Sequence, residues 1–472
     1  MKRYEQYADE IAELIRTQVL RSGDRLPSVR QASSSRKISP STVFEAYYLL
    51  EARGLIQARP RSGYYVNALR SFGANEPATA QPAAQSSHVE ISELVFQVLG
   101  STRQPDVVPL GSAFPSPQLF PLEKLARSLS PAMRGLAPQR IVEELTEGSE
   151  RLRRQIGLRY VVEGTGIDAG EIIITNGAME ALNLCLQAVT RPGDVVAVES
   201  PTFYAALQAL ERLQLKAVEV ATHPRHGIEL DSLAQVLQQH PVRACWFMPN
   251  FQNPLGSLMP EENKRALVEL LARHEVPLIE DDVYGELYHG LRRPPPCKAF
   301  DRQGLVMHCN SFSKCLAPGY RVGWTAAGRF AQKVQRLKLM TSLATAVPTQ
   351  EALSDYLQHG GYDRHLRQLR QTLADSQTRA LRGIAKHFPK GTRVTRPEGG
   401  YLLWVELPEQ VDALKLHRLA SSQNISLAPG HLFSADRRFA HCLRLNYGQA
   451  GDARFDDAIR TIGQLASAQL TA

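Results

Sequence analysis

The chain has no apolar run approaching the roughly 18 residues of a membrane span, and its start, MKRYEQYADE, is too polar for a secretory signal. Cysteine is scarce. Six of 472 residues, Cys185, Cys245, Cys297, Cys309, Cys315 and Cys442, stand apart with no C-x-x-C pair and no histidine cluster at zinc spacing. Neither a disulfide framework nor a metal site is indicated, and a reduced, cytoplasmic setting fits. Internal repeats are also missing. At 43% hydrophobic and 22% charged residues the composition excludes a collagen-like, coiled-coil or wholly disordered chain, and the length leaves room for two or three domains.

Charge of one sign is in slight excess, at +8, and it is uneven. Residues 1–70 hold about 12 Lys and Arg against about 7 Asp and Glu, which points to an anionic partner for this head. Ile11, Leu14, Ile15 and Leu20 predict a helix from Tyr4 to Leu20, broken by Gly23-Asp24. Ser28 caps a short second helix, Val29 to about Ser34. Ser39 and Pro40 read as cap and first residue of a third, running to Gly54. Two β-prone runs, 55–58 and 64–66, flank the arginine-bearing turn 59–63, so a helix-turn-helix followed by a hairpin wing is expected. The Ala, Pro, Gln and Ser that follow cannot order themselves by apolar burial. The expected domains are 1–68, a winged helix-turn-helix head; 69–90, a flexible linker; and 91–472, a body.

In the body, apolar runs bounded by turns recur at Glu171–Thr175, Val195–Glu199, Lys216–Ala221, Ala244–Pro249, Pro277–Asp282, Val306–Ser311 and Val322–Ala327. Helical intervals lie between them, including Ala178–Val189, Asp231–Gln239 and Glu261–His274, so a mostly parallel sheet covered on both faces is expected. After Ser342 a long helix and strands near Tyr401–Leu407 and Cys442–Tyr447 predict a smaller α+β lobe. Ligands of such sheets bind beyond the carboxyl ends of the strands. There the chain places Thr175-Asn176-Gly177-Ala178-Met179, Glu199-Ser200-Pro201-Thr202-Phe203, Asn250-Phe251-Gln252-Asn253-Pro254, Asp281-Asp282-Val283-Tyr284 and Ser311-Phe312-Ser313-Lys314, with Arg321 shortly beyond. A lysine amine, a carboxylate for a pyridinium nitrogen and donors for a phenolic oxygen and a phosphate are what pyridoxal 5'-phosphate needs.

From about Pro109 to Tyr447 the chain resembles the fold type I aminotransferases, in the branch of the aminoadipate and kynurenine enzymes. The QNPLG, DDVY and SFSKCLAPGYRVGW segments carry the resemblance. It implies that Lys314 binds the cofactor covalently and that Asp281 bonds the pyridine nitrogen. Asn253 and Tyr284 would bond the phenolic oxygen, and Phe203 would stack on the ring. Ser311, Arg321 and the amides of Ala178 and Met179 would hold the phosphate, and Arg444 a substrate or effector carboxylate. Where relatives carry a tyrosine that reaches the neighbouring subunit's phosphate, this chain has Glu143, a departure that weighs against turnover more than against cofactor binding.

The head, through GDRLPSVRQ and SPSTVFEAYYLLEARGLIQARPRSGYYV, is similar to the winged helix-turn-helix of GntR-type repressors, and the whole layout resembles their MocR subfamily, which makes 1–68 a DNA-binding domain and 91–472 an effector domain. DNA contacts are then expected from Arg30, Arg36, Lys37, Ser39, Ser41, Thr42, Arg59, Arg61 and Gly63. The resemblance implies a cytoplasmic bacterial transcription regulator, nucleoid-associated when DNA-bound, that senses an amino compound or the cofactor itself through aldimine chemistry at Lys314, with weak transamination at most. It also implies a double-stranded operator, a small amine or amino acid effector and a head-to-tail homodimer. The alternative is an active aminotransferase with an accessory DNA-binding head.

Overall fold

The computed structural model describes residues 3–16, 19–20, 23–52, 55–59, 62–66, 75–83, 85–100, 106–139, 146–359, 361–449 and 451–471. They fall into two compact units, Met1–Gly73 with Tyr288–Arg293, and Ala74–Leu287 with Pro294–Ala472.

The head begins with α1 (Arg3–Arg16), shorter than its apolar spacing predicts. In α2 (Val29–Arg36) a capping box fixes the start: Gln31 N donates to Ser28 Oγ at 3.3 Å while Ser28 N donates to Gln31 Oε1 at 3.0 Å. Lys37 closes that helix in the left-handed region, at φ 51°. Ser39 Oγ accepts the Thr42 amide at 3.1 Å at the start of α3 (Pro40–Ala52). The wing pairs β1 (Ile56–Arg59) with β2 (Gly63–Val66), Ile56 opposite Val66. Gly23 N and Leu26 N donate to Val66 O and Tyr64 O, so the segment after α1 forms a third, partial strand. Ile11, Ile15, Leu26, Val43, Tyr47, Leu50, Ile56 and Val66 close one core. Tyr47 is its centre, packed against Tyr64 with ring centroids 5.0 Å apart and donating to Pro27 O at 2.8 Å.

The body is a nine-stranded sheet in the order β3-β6-β5-β8-β9-β10-β11-β4, with β7 on β6. Its strands are β3 (Ser87–His88), β4 (Ile172–Thr175), β5 (Val195–Ser200), β6 (Lys216–His223), β7 (Gly227–Ile228), β8 (Val242–Phe247), β9 (Leu278–Asp281), β10 (Val306–Ser311) and β11 (Gly323–Ala326). Five neighbours, β6, β5, β8, β9 and β10, run parallel, and their mainly apolar runs are buried on both faces but for Lys216, His223 and Arg243. The mostly parallel sheet is therefore mixed: β11 runs antiparallel to both β10 and β4. That reversal brings the entrance of β11 to the same edge as the ends of β4 and β10.

The lobe is an antiparallel sheet of β12 (Arg393–Val394), β13 (Leu402–Glu406), β14 (Ala428–Pro429) and β15 (Cys442–Asn446), with β15 between β13 and β14. The single long helix expected after Ser342 is instead two, Val347–His359 and Tyr362–His387, and Gly361, at φ +75°, caps the second.

Residues 75–83 and 85–90, read from composition as flexible linker, are attached to the body. Val394 N donates to Asn75 O at 2.9 Å, Arg225 pairs with Glu76 at 2.7 Å, Arg438 donates to Gln81 O at 3.0 Å, and β3 pairs with β6. Composition counts apolar burial, and this strap is held by polar groups supplied from elsewhere in the chain. Among the described residues no helix is long and apolar enough to cross a membrane, and no group of acidic, His or Cys side chains is placed to hold a metal.

Tyr47→Ala removes a fully buried ring and its hydrogen bond from a core of one small unit. A loss of about 3–5 kcal/mol is expected, enough to unfold the head. Calorimetry of the full chain should show the head's transition lowered or gone and the body's transition unmoved.

Candidate functional site

The site of the body collects at one sheet edge. Asp281 is the last residue of β9, Lys314 lies three residues beyond β10, Asn253 follows β8, Phe203 follows β5, and Ala178 opens the helix after β4. Tyr284 comes from the turn after β9 and Arg321 from the entrance of β11. Arg444, from the middle of β15, reaches the edge from the lobe. Arg444 bonds Asn253, and Lys314, Asp281, Tyr284, Arg321 and Arg444 lie close enough to act on one another's charge.

Lys314 Nζ donates to the carbonyl of Ala113 at 2.9 Å and stands 3.8 Å over the ring of Phe114. Burial, with the positive Arg444 nearby, pushes its ammonium down to about 7, against the upward pull of Asp281. Asp281 is buried with Oδ1 unpartnered, and burial raises its carboxyl to about 7, opposed by the Val283 amide and by Lys314. Arg444 is wholly buried. It donates to Gly111 O at 2.6 Å and Asn253 Oδ1 at 3.2 Å, lies 5.2 Å over the ring of Phe433, and leaves Nε without a partner. No carboxylate of the described residues pairs with it. A buried guanidinium without a counter-ion is costly, so the pocket is suited to an anion brought from outside.

The phosphate end is a different kind of cradle. Gly177, at φ +83°, caps the helix Ala178–Val189 without a side-chain bond, so the amides of Ala178 and Met179 have no helical acceptor. Arg321 Nη2 donates to Asn176 O at 3.3 Å and Nη1 to Ser313 Oγ at 3.2 Å, and a Cβ on Gly177 would collide with its guanidinium. A Cβ on Gly323 would in turn lie 2.7 Å from Ala178 N. Ser311 Oγ accepts the Ser313 amide at 3.3 Å. Tyr284 is buried, edge-on to Tyr401 at 5.3 Å, and burial pushes its phenol up. Phe203 is half-buried at the start of the helix Tyr204–Arg212. An unpartnered buried carboxyl oxygen, a lysine of lowered basicity and a helix start facing an arginine fit pyridoxal phosphate.

Several residues of this site escaped the reading of the sequence. Segment 110–114 roofs Lys314 because Asn446 Nδ2 donates to Ser112 O and Phe114 O at 3.0 and 2.6 Å. Ser313 and Tyr401 were adjacent to motifs without being assigned. Glu199 is buried behind Asp281 and raised to about 8 by burial; it accepts from Met248 N at 3.2 Å and Gln252 Nε2 at 3.3 Å, fixing the 248–253 loop.

In the head, Arg30 and Lys37 are exposed at the two ends of α2. Arg36, half exposed, pairs with Glu10 at 3.1 Å and lies 5.6 Å over the Tyr7 ring. Ser39, Ser41 and Thr42 bond to one another, Ser39 Oγ lying 2.8 Å from Ser41 Oγ and 2.7 Å from Thr42 Oγ1. Gly63 enters the wing at φ +102°, with Arg25, unassigned from the sequence, beside it. Arg61, the side chain of Arg59, and Glu143 of the body lie outside the described residues.

Residues 142–462 match the family model of the class I and II aminotransferases, and residues 3–66 that of the bacterial regulatory proteins of the gntR family. The chain is 46% identical to the uncharacterized HTH-type transcriptional regulator YdcR of Escherichia coli over the full length of both. Among solved structures it is similar to the kynurenine aminotransferase of Pyrococcus horikoshii, at 30% identity and a TM-score of 0.75 over 81% of this chain and 96% of that one. It is likewise similar to LysN, the α-aminoadipate aminotransferase of Thermus thermophilus complexed with N-(5'-phosphopyridoxyl)-L-leucine, at 28% identity and a TM-score of 0.72 over 80% and 99%. Family and neighbours indicate pyridoxal phosphate as the cofactor.

In cofactor-free protein, labelling of Lys314 by an amine reagent should rise to half its maximum near pH 7, the value to which burial and Arg444 lower it. Arg444→Ala removes a repelling positive charge and should move that midpoint up; Asp281→Asn removes an attracting negative one and should move it down. A midpoint near the ordinary lysine value of about 10.4 in all three proteins would contradict the geometry.

Proposed function

Since the chain belongs to the GntR regulators of MocR type, in which a helix-turn-helix head precedes a class I and II aminotransferase body, we propose that it binds operator DNA through the head and senses an amino compound at Lys314. The observation that carries this is Arg444, a buried cation with no carboxylate of its own, in the same pocket as a lysine of lowered basicity. An amino acid supplies both missing parts, a carboxylate for Arg444 and an amine to exchange with Lys314 Nζ.

Bound pyridoxal phosphate supplies an electrophilic carbon and an electron sink. Lys314 would attach it, Asp281 would hold the pyridine nitrogen protonated, and Asn253 and Tyr284 would donate to its phenolic oxygen. Phe203 would cover one face of the ring. Ser311, Ser313, Arg321 and the amides of Ala178 and Met179 would hold the phosphate. With its ammonium lowered to about 7, much of Lys314 is neutral amine at neutral pH, the form that attacks a carbonyl. Phosphates of the operator would meet Arg30, Lys37 and the wing, including Arg59 and Arg61.

The exposed Leu122, Leu339 and Met340, at 57, 53 and 73% exposure, support burial of the body against a second copy. A head-to-tail homodimer would then present two heads to two half-sites, in the cytoplasm and on the nucleoid when DNA-bound.

Borohydride reduction of the cofactor-loaded protein followed by peptide mapping should find the phosphopyridoxyl group on Lys314, and Lys314→Ala should lose it. Among amino acids screened by the cofactor's absorbance, a responder should also change operator affinity. Arg444→Ala should lose that response while keeping cofactor and uninduced DNA binding. Turnover of several per second with no effect of any amine on DNA binding, within the enzyme range of roughly 1 to 1000 per second, would instead make the body a working aminotransferase.

A further inference from the structure

The helix that a helix-turn-helix head presents to the major groove carries no lysine or arginine here: α3 reads PSTVFEAYYLLEA. Val43, Ala46, Tyr47 and Leu50 spend one of its faces on the core. The opposite stripe, at spacings of three, four and seven residues, is Ser41, Phe44, Glu45 and Tyr48, all exposed, with Phe44 at 54% and Tyr48 at 49%. Guanine is read by the fork of an arginine or by a lysine, and neither is available on this stripe. Nor are the serines at its start free, because the hydroxyls of Ser39, Ser41 and Thr42 bond to one another around the cap.

What the stripe offers is two aromatic rings one turn apart and a carboxylate between them. In the major groove an apolar side chain finds the C5 methyl of thymine, and a carboxylate accepts from the N4 amino group of cytosine. A carboxylate on this face also repels phosphate, so the stripe is suited to the groove floor and unsuited to its walls. The second acid of α3, Glu51, is turned toward the wing, where it accepts the Ala58 amide at 2.7 Å. The phosphate-seeking charges, Arg30 and Lys37, lie off α3 at the ends of α2.

We propose that α3 specifies the operator by seating Phe44 and Tyr48 against thymine methyls and by accepting a hydrogen bond from a cytosine amino group at Glu45, with no guanine read by this helix. The inference rests on the head being a DNA-binding unit, and it goes further by naming which base edges are read. Affinity then comes from residues outside α3 and discrimination from within it, so the two are separable by substitution.

The test uses the full, cofactor-loaded chain. Sequences enriched from a random duplex pool should share thymines and a cytosine in each half-site. Replacing those thymines with deoxyuridine, one at a time, deletes only a methyl group, and should weaken binding about 5-fold at each contacted position. Phe44→Ala should lose the distinction between thymine and uracil at the positions Phe44 contacts while keeping it at those of Tyr48, the double variant Phe44→Ala/Tyr48→Ala should bind both operators alike, and Glu45→Gln should shift the preference at the cytosine position toward adenine, where a glutamine bonds both N6 and N7. Both side chains are exposed, and an unmoved thermal transition of the head checks that the variants fold. Full affinity for uracil operators, or an enriched site specified by guanines that survives Phe44→Ala, overturns the inference while leaving DNA binding intact. Absence of binding to any duplex overturns it by removing the reading beneath it.

Discussion

Three ionisable groups, Lys314, Asp281 and Arg444, share a pocket, the last two wholly buried and Lys314 partly so, and none is joined to another by an ion pair. Removing a charge from water costs several kcal/mol even after a protein relaxes around it. Lys314 and Asp281 meet that cost by moving their titrations to about 7, where each is half neutral. Arg444 has no such escape, because a guanidinium does not deprotonate in a protein. Its charge is spread over two carbonyl-type acceptors and two aromatic faces, with one Nε–H left over. On the proposed reading such a pocket would be stabilised by what enters it: a pyridine nitrogen for Asp281, a carbonyl carbon for Lys314, a carboxylate for Arg444.

The sheet exists in the form it does to hold that pocket open at one edge. Five parallel strands aim their carboxyl ends the same way, which is why residues more than 100 positions apart in the chain converge. The reversal at β11 completes the edge, because it lets Arg321 arrive beside the helix start at Gly177. Two glycines make this approach sterically allowed, and each lacks the Cβ that would strike the opposing backbone or guanidinium. The lobe contributes through β15 alone: Arg444 enters the pocket while Asn446, two residues on and so on the same face, ties down the segment that roofs Lys314.

Much of this was legible because buried parallel strands and strand-end polar clusters leave direct marks in a sequence. The strand Val306–Ser311 and the helix Ala178–Val189 have the bounds their apolar runs imply. What could not be read are contacts made by segments without periodicity. Ala113 and Phe114 lie in an irregular stretch, and only the fold shows that it passes over Lys314. The strap at 75–90 looks featureless because its attachments, Arg225, Val394 and Arg438, lie far along the chain. The DNA contact expected at Arg36 rests on the resemblance of the head, whereas its pairing with Glu10 on α1 is made across the fold and leaves no mark in the sequence.

The central claim is that the pocket and the head belong to one coupled equilibrium. If an amino compound changes operator affinity by some factor, the operator must change affinity for that compound by the same factor, since coupling free energy is reciprocal. The direct measurement is titration of the responding amino acid, followed by the cofactor's absorbance, into the free protein and into the protein saturated with its operator. The account predicts two different dissociation constants whose ratio equals the effector's effect on DNA binding. Identical constants with and without operator would show a body that binds amino acids independently of the head and would contradict it.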